Sequence, residues 1–339
     1  MKNLAFRVDA GNHMGNGHLM RCLALAQAWQ DTGGEAVFIT ACRNDNLLQK
    51  LKAEGFTVHL LPSEDSGWEE VRRIIAGYDN DWVVLDGYHF DETYQQGIKD
   101  DGYKLLVIDD RAHLGHYYAD IILNQNLHAG QLRYTREPNA QLLMGTEYTL
   151  LRREFLAYKD NGREIPERAN KILVTMGGSD PNNISLKVIQ ALGQVNVPGI
   201  EATVAVGVGN QNNGMLEKAV GESPVPVKVV NYANNMPGLM AEADVAVTAV
   251  GITLWEICFS GLPALVIAHS DYQRASLRAI EQEGVAVSLG WQQDVVAGEI
   301  AEGLRRMIAS PELRRSMSCT QQRMVDGLGA KRVLGKLRG

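Results

Sequence analysis

From one end of the chain to the other, short apolar runs alternate with stretches in which apolar positions recur at i, i+3, i+4 and i+7. The runs are rich in Val, Ile and Leu and too short for helices. They read as strands, and the periodic stretches between them as helices that connect parallel neighbours. In the first half, strands are expected at Leu4–Val8, Ala36–Thr40, Val58–Leu61, Trp82–Leu85, Leu105–Ile108 and Ile121–Asn124. In the second half they are expected at Ile172–Met176, Ala202–Val206, Val227–Val230, Val245–Thr248 and Ala264–Ile267. The stretch Tyr158–Asn170 is polar, holds Gly162 and Pro166 and shows no sustained period, so it reads as an interdomain linker. The plan is α/β, with one doubly wound parallel-sheet domain over residues 1–157, a linker over 158–170 and a second such domain over 171–339. Ligands of open parallel sheets bind beyond the carboxyl ends of the strands, so two such domains would pool their loops at a cleft between them.

Composition supports this plan and removes several functions. At 339 residues the chain suits two domains by the prior of roughly 150 residues each, and two Rossmann-like halves are the natural candidates. A hydrophobic fraction of 45% and a charged fraction of 22% allow each half its own core. The net charge of −7, with Lys and Arg scattered along the chain, gives no basic footprint for nucleic acid. Met1 to Phe6 lead straight into a strand without the apolar stretch of a signal peptide, and no run reaches the length that inserts into a membrane. Cys22, Cys42, Cys258 and Cys319 are far apart and form no C-x-x-C, which argues against a zinc site or a disulfide framework. A reducing, cytoplasmic setting is the expectation, with a monomer as the expected state.

Three segments could carry chemistry. In the first, Arg7 to Cys22 (RVDAGNHMGNGHLMRC), a strand ends near Asp9, a glycine turn follows, and Leu19, Cys22, Leu23 and Ala26 mark the buried face of a helix. His18 then stands at a helix N-terminus, where the dipole favours a neutral imidazole able to accept a proton. Gly15 and Gly17 let the backbone pass close to a ligand. Alternatively, His18 only caps the helix and the glycines only make a tight turn. His13, mid-loop, is a weaker candidate base.

The second segment, Lys171 to Asn183, repeats the strand, glycine turn and helix. Amides at Gly178 and Ser179, with the Ser179 hydroxyl, could cradle a phosphate oxygen. Ser179 or Asp180 could equally be the N-cap of the helix that carries Ile184 and Val188. In the third, Thr248 to Ile267, Gly251 opens a helix whose first amides, with Ile252 and the Thr253 hydroxyl, can hold a diphosphate. Glu256 follows a turn later and can accept both hydroxyls of a ribose, although an acidic residue near a helix start is also favourable in itself. A glutamate within the apolar run Leu254–Leu262 needs a partner, which favours the ribose.

Together these segments look like the GT-B nucleotide-sugar architecture. More narrowly, the chain resembles the UDP-sugar hydrolase family of the pseudaminic acid pathway and its spore-coat polysaccharide relatives. RVDAGNHMGNGHLMRC carries the family's Arg-x-Asp strand, Gly-x-Gly-His turn and Arg-Cys helix start. Asp86-Gly87-Tyr88, Val107-Ile108-Asp109-Asp110, Asn124-Gln125-Asn126-Leu127, Gly145 to Arg152 (GTEYTLLR) and Gly177 to Asn183 (GGSDPNN) follow in the family's order. The resemblance implies attack of water at the anomeric carbon of a UDP-linked diacetamido-trideoxyhexose, with inversion and release of UDP, and with neither metal nor cofactor. It implies His18 as general base, and places Gly15, Gly17, Arg21, Arg152, Gly178, Ser179 and Asp180 among the substrate-binding residues. The amides of Gly251, Ile252 and Thr253 would hold the leaving diphosphate, Glu256 the ribose, and the backbone after Asn231 and around Met236 the uracil. One departure concerns the sugar: where the family usually shows Asn-Gln, this chain has Tyr272-Gln273, and a tyrosine cannot supply an amide's paired donor and acceptor.

Two other functions stay open at this stage. A GT-B transferase would pass the sugar to an acceptor other than water, and a binding module would hold the nucleotide sugar without chemistry. The roles of Asp9, Asp86 and Asp109 also stay open, between holding the sugar and closing off strand ends.

Overall fold

The computed structural model describes residues 3–11, 15–159, 162–178, 180–207, 209–210, 213–231 and 235–338, apart from the side chains of residues 213 and 272. The chain forms two compact units, Met1–Arg153 with Gly327–Gly339, and Glu154–Asp326.

The first unit alternates β1 (Asn3–Val8), α1 (Gly17–Gln30), β2 (Glu35–Thr40), α2 (Asp45–Ala53), β3 (Thr57–Leu60), α3 (Trp68–Ile75), β4 (Asn80–Asp86), α4 (Glu92–Asp100), β5 (Lys104–Ile108), β6 (Ile121–Asn124) and β7 (Gln141–Met144). Its strands form one parallel sheet in the order β3-β2-β1-β4-β5-β6-β7. The chain winds outward from β1 in one direction and then, from β4, in the other. The order reverses between β1 and β4, and loops at such a switch point diverge and leave a crevice. Pairing of Val8 with Asp86, and of Asp86 with Ile108, sets the carboxyl ends of β1, β4 and β5 at one level. Interior strands bury nearly every residue, as sheets covered on both faces do.

After the short helix α5 (Arg153–Leu156), the second unit repeats the plan. It runs through β8 (Lys171–Thr175), α6 (Ile184–Val195), β9 (Glu201–Val206), α7 (Asn213–Glu222), β10 (Val227–Asn231), α8 (Met236–Glu242), β11 (Val245–Ala249), α9 (Ile252–Ser260), β12 (Ala264–Ala268), α10 (Asp271–Gln282), β13 (Val287–Trp291), α11 (Ala297–Ala309) and α12 (Pro311–Met324). Its parallel sheet has the order β10-β9-β8-β11-β12-β13, with the reversal between β8 and β11. Each strand expected from the sequence overlaps an observed strand. The two that sequence patterning missed, β7 and β13, are edge strands. β13 is half-buried throughout, carries Ser288 and Gly290, and shifts register against β12, all of which dilute a strand's hydrophobic signature.

Two boundaries differ from the sequence reading. The last helix, α13 (Gly329–Leu337), was expected in the second domain but packs in the first unit. Trp82 Nε1 donates to the Leu337 carbonyl at 3.0 Å, and Arg332 Nη1 donates to the Glu147 carbonyl at 2.8 Å. Gly329 lies so close to the backbone of Thr149 that a Cβ would fall 2.2 Å from the Thr149 carbonyl oxygen. The expected linker, 158–170, belongs to the second unit and is fastened to it where described. Arg163 donates to the carbonyls of Ser260 at 2.9 Å and Ala243 at 2.6 Å, and to that of Met240. These carbonyls lie at and just beyond the C-terminal ends of α8 and α9, where helices leave acceptors unsatisfied. Polarity made this stretch resemble a free connection, yet its arginine serves as a clamp.

Because a side chain at position 329 must displace backbone, Gly329→Ala is expected to destabilise the protein by about 1–3 kcal/mol. Urea unfolding of the first unit checks this, and an unchanged midpoint would contradict the docking of α13 on Thr149.

Candidate active site

α1 is the helix that follows β1 in the chain, and its His18, Arg21 and Cys22 share one face at i, i+3 and i+4. That face meets Asp86, the last residue of β4, across the switch point. His18 is 6% exposed, Arg21 2% and Asp86 0%. The Asp86 carboxylate accepts from His18 Nδ1 at 2.6 Å, from Arg21 Nε at 2.6 Å, from Arg21 Nη2 at 2.7 Å and from the Cys22 thiol at 3.5 Å. Burial alone would push the Asp86 pKa up. The Arg21 charge, then that of His18, and the hydrogen bonds from both outweigh burial and hold it well below the usual carboxylate range. An ionised carboxylate only accepts, so the proton in the 2.6 Å contact sits on His18 Nδ1. In the neutral ring, Nε2 is then the acceptor. Arg21 Nη2 also lies 3.2 Å from His18 Nδ1; a guanidinium only donates, so with the proton of the shorter Asp86 contact on Nδ1 this approach is electrostatic and not a hydrogen bond.

Arg21 ties this pair to a second carboxylate. Its Nη1 donates to both oxygens of Asp110, at 2.9 and 2.7 Å. Burial would lower the Arg21 pKa, but Asp110 and Asp86 raise it well above the ordinary value, so the guanidinium stays charged. Asp110 also accepts from Tyr88 Oη at 2.9 Å and from Asn126 Nδ2 at 2.7 Å. The Tyr88 ring stands edge-on to His18, with centroids 4.9 Å apart, and carries the Arg111 guanidinium 3.7 Å above it.

The other strand-end aspartates serve different partners. Asp109 Oδ1 accepts the amides of Arg111 at 2.8 Å and Ala112 at 2.6 Å, and Oδ2 faces His113 Nδ1 at 2.9 Å, so this carboxylate shapes its own loop. Asp9, fully buried, pairs with Arg7 at 2.7 Å and His89 at 3.1 Å and accepts the Ala41 amide at 2.6 Å. Burial raises its pKa, but the bonds from His89 and Arg7, the Arg7 charge and the Ala41 amide overcome that and lower it from 3.8 to about 2.

In the second unit the turn after β8 meets the start of α9 at the other switch point. Gly177 adopts φ +81°, and a Cβ there would lie 3.9 Å from the Thr253 hydroxyl. Gly207 packs onto the same turn, where a Cβ would fall 2.4 Å from the Gly177 carbonyl and 2.5 Å from that of Gly178. Asn183, not Asp180, is the N-cap of α6 and makes no side-chain cap, but Asp180, three residues earlier, accepts the amides of Ile184 and Ser185, both at 2.8 Å, and so fills the capping alternative from outside the cap position. Those α6 amides are therefore taken by the chain itself. The N-terminus of α9, opened by Gly251, has no side-chain cap, and Ile252 and Thr253 occupy its first turn half-buried. Glu256 is buried in the next turn. Gln273 Nε2 lies 3.8 Å from where a Cβ on Gly251 would stand.

The structure thus joins His18 with Arg21 in the first unit, and Gly251 with Gln273 and Gly177 with Thr253 in the second. Gly15, at φ +72°, donates its amide to the Gly11 carbonyl at 2.9 Å, and Gly17 begins α1. Arg152 is half-buried just ahead of α5. Asn231 is exposed at the end of β10, and Met236 opens α8, which Asn235 caps through the Gly238 amide at 3.0 Å. Gly178 is half-buried in the turn after β8. Ser179, His13 and the Tyr272 side chain lie outside the described residues. Tyr88, Asp110 and Asn126 stand in sequence motifs that assign them no role, and Asp86 in one that leaves it between holding the sugar and closing off a strand end; a charged residue closing a central parallel strand is the available signal. Among the described residues, no group of three or more His, Cys, Asp or Glu side chains is placed to hold a metal ion. No helix among them is long and apolar enough to cross a membrane.

Residues 171–332 match the model of the glycosyltransferase family 28 C-terminal domain. The chain is 26% identical over 332 residues to the spore coat polysaccharide biosynthesis protein SpsG of Bacillus subtilis, covering 97% of this chain and 96% of that protein. It is 26% identical over 216 residues to the UDP-2,4-diacetamido-2,4,6-trideoxy-beta-L-altropyranose hydrolase of Campylobacter jejuni, covering 63% of this chain and 72% of that one. Acinetobacter baumannii MurG superposes with a TM-score of 0.69 at 15% identity, covering 100% of this chain and 99% of the other. That structural likeness shows the GT-B fold.

The depressed Asp9 carboxyl makes the fold sensitive to acid. Its folded pKa lies below the unfolded one, so on acidification the unfolded chain takes up the proton first and stability falls. At about 1.4 kcal/mol per pH unit of displacement, this group accounts for about 2 kcal/mol lost between roughly pH 5 and pH 2. Denaturant unfolding across that range should show a correspondingly shallower fall for Asp9→Asn; an identical pH slope in the variant would contradict the ion-paired Asp9.

Proposed function

We propose that the chain hydrolyses a UDP-sugar at the anomeric carbon with inversion, with His18 as general base. The observation that carries this reading is the 2.6 Å contact of His18 Nδ1 with an ionised, buried Asp86, which leaves Nε2 as the proton acceptor. In the proposed step Nε2 takes a proton from water while the water oxygen bonds to the anomeric carbon. The bond from that carbon to the phosphate oxygen breaks, and UDP departs with the electron pair. Asp86 holds the tautomer and balances the imidazolium that forms, the role of the acid in a catalytic triad.

In this reading the first unit supplies the base and the second holds UDP. The amides of Ile252 and Thr253, at the uncapped start of α9, receive the diphosphate and meet the charge that develops on it. Glu256 takes the ribose, and the backbone near Asn231 and Met236 the uracil. The sugar proposed is a diacetamido-trideoxyhexose, on the strength of the similarity to the Campylobacter jejuni hydrolase. Tyr272 is where a different sugar would be accommodated.

A transferase reading is favoured by the match of residues 171–332 to a glycosyltransferase family 28 domain. The same base could deprotonate an acceptor hydroxyl instead of water. The two readings part on whether UDP is released when water is the sole acceptor.

Incubation of the purified protein with UDP-2,4-diacetamido-2,4,6-trideoxy-β-L-altrose should release UDP and free sugar, followed by NMR. His18→Ala should lower the rate by at least about a hundredfold. Absence of release by the wild type would remove the hydrolase reading for that sugar, and full activity in His18→Ala would remove the assigned base.

A further inference from the structure

The loop that leaves β12 carries an imidazole that the proposed chemistry does not use. His269 follows the last strand residue, and Gln273, 3% exposed, lies one helical turn further on. Gln273 Oε1 accepts the His269 backbone N–H at 3.0 Å, which fixes the oxygen end of the carboxamide. The nitrogen end then faces His269 Nε2 at 3.4 Å, a long contact. An amide nitrogen only donates, so the ring nitrogen there is the acceptor and the ring proton sits on Nδ1. Burial lowers the His269 pKa, with Asp180 opposing, and this favours the neutral ring that the contact requires.

The loop is itself anchored. Gln292 Nε2 donates to the His269 carbonyl at 3.1 Å, and Asn182 Nδ2 donates to Gln292 Oε1 at 2.8 Å. Lys187 Nζ donates to the Gln292 carbonyl at 2.9 Å. A continuous set of bonds therefore connects the segment around the start of α6 with α10. At its far end the Gln273 carboxamide nitrogen stands beside Gly251, the residue that opens α9.

We infer that His269 is a positioning residue for the nucleotide: its backbone N–H sets which end of the Gln273 carboxamide is turned to the start of α9, and its Nε2 holds the nitrogen end in place, so that this donor faces an oxygen of the diphosphate there. The inference rests on the nucleotide-sugar reading above. A carboxamide turned end for end would place two donors together at the His269 amide and set its oxygen against an anion.

Calorimetric titration with UDP tests it on the wild type, His269→Ala, Gln273→Ala, the double variant and His269→Gln, with thermal unfolding alongside to establish that each is folded. Each alanine variant should bind UDP roughly three- to tenfold more weakly. The double variant should lose no more than the weaker single one, because one interaction is being removed twice. His269→Gln, which retains a side-chain acceptor, should recover part of the affinity. Wild-type affinity in His269→Ala, or losses that multiply in the double variant, would overturn the positioning role while leaving UDP binding intact. Failure of the wild-type protein to bind UDP would instead overturn the nucleotide-sugar reading on which it rests.

Discussion

A carboxylate with no exposure to solvent is tolerated only where donors surround it, and Asp86 is surrounded by His18, Arg21 and Cys22 from one face of α1. That constraint organises the first unit. It fixes where α1 begins relative to β4, because the helix must bring three side chains to one strand end. It also fixes which nitrogen of His18 holds the proton. Arg21 extends the arrangement to Asp110, and through it to Tyr88 and Asn126, so that the ends of β4, β5 and β6 share one set of bonds. Burial alone would neutralise such a carboxyl; the adjacent guanidinium decides the outcome.

The two units solve the same topological problem with different chemistry. Each sheet reverses its strand order once, and candidate residues stand at each reversal: His18 and Asp86 in the first unit, Gly177 and Gly251 in the second. In the first unit the reversal is furnished with ion pairs, which orient the His18 ring. In the second it is furnished with glycines, and the close approach of Gly207 to the Gly177 and Gly178 carbonyls leaves no room for a side chain. Backbone amides at the start of α9 suit an anion, whereas the α6 amides are already occupied by Asp180.

Strand alternation was legible because buried parallel strands read as continuous apolar runs, and both sheets follow from it. Edge strand β13, interrupted by Ser288 and Gly290, offered no such run. The placement of α13 rests on long-range contacts of Trp82 and Thr149 that no local pattern encodes. His18 stood out by its position at a helix start, but its partner lies 68 residues away in sequence, and only the pairing of β1 with β4 brings them together. Asp180 illustrates the opposite case: capping and phosphate binding call for the same residue at the same place, so sequence could not separate them. His269 escaped notice because it follows a strand with nothing local to mark its hold on Gln273.

The tautomer of His18 is the most direct measure of whether Asp86 governs this site. Nitrogen-15 NMR of the neutral ring should report a proton on Nδ1 and an unprotonated Nε2. A neutral ring protonated on Nε2 would mean that the Asp86 contact does not set the tautomer, and would contradict the account.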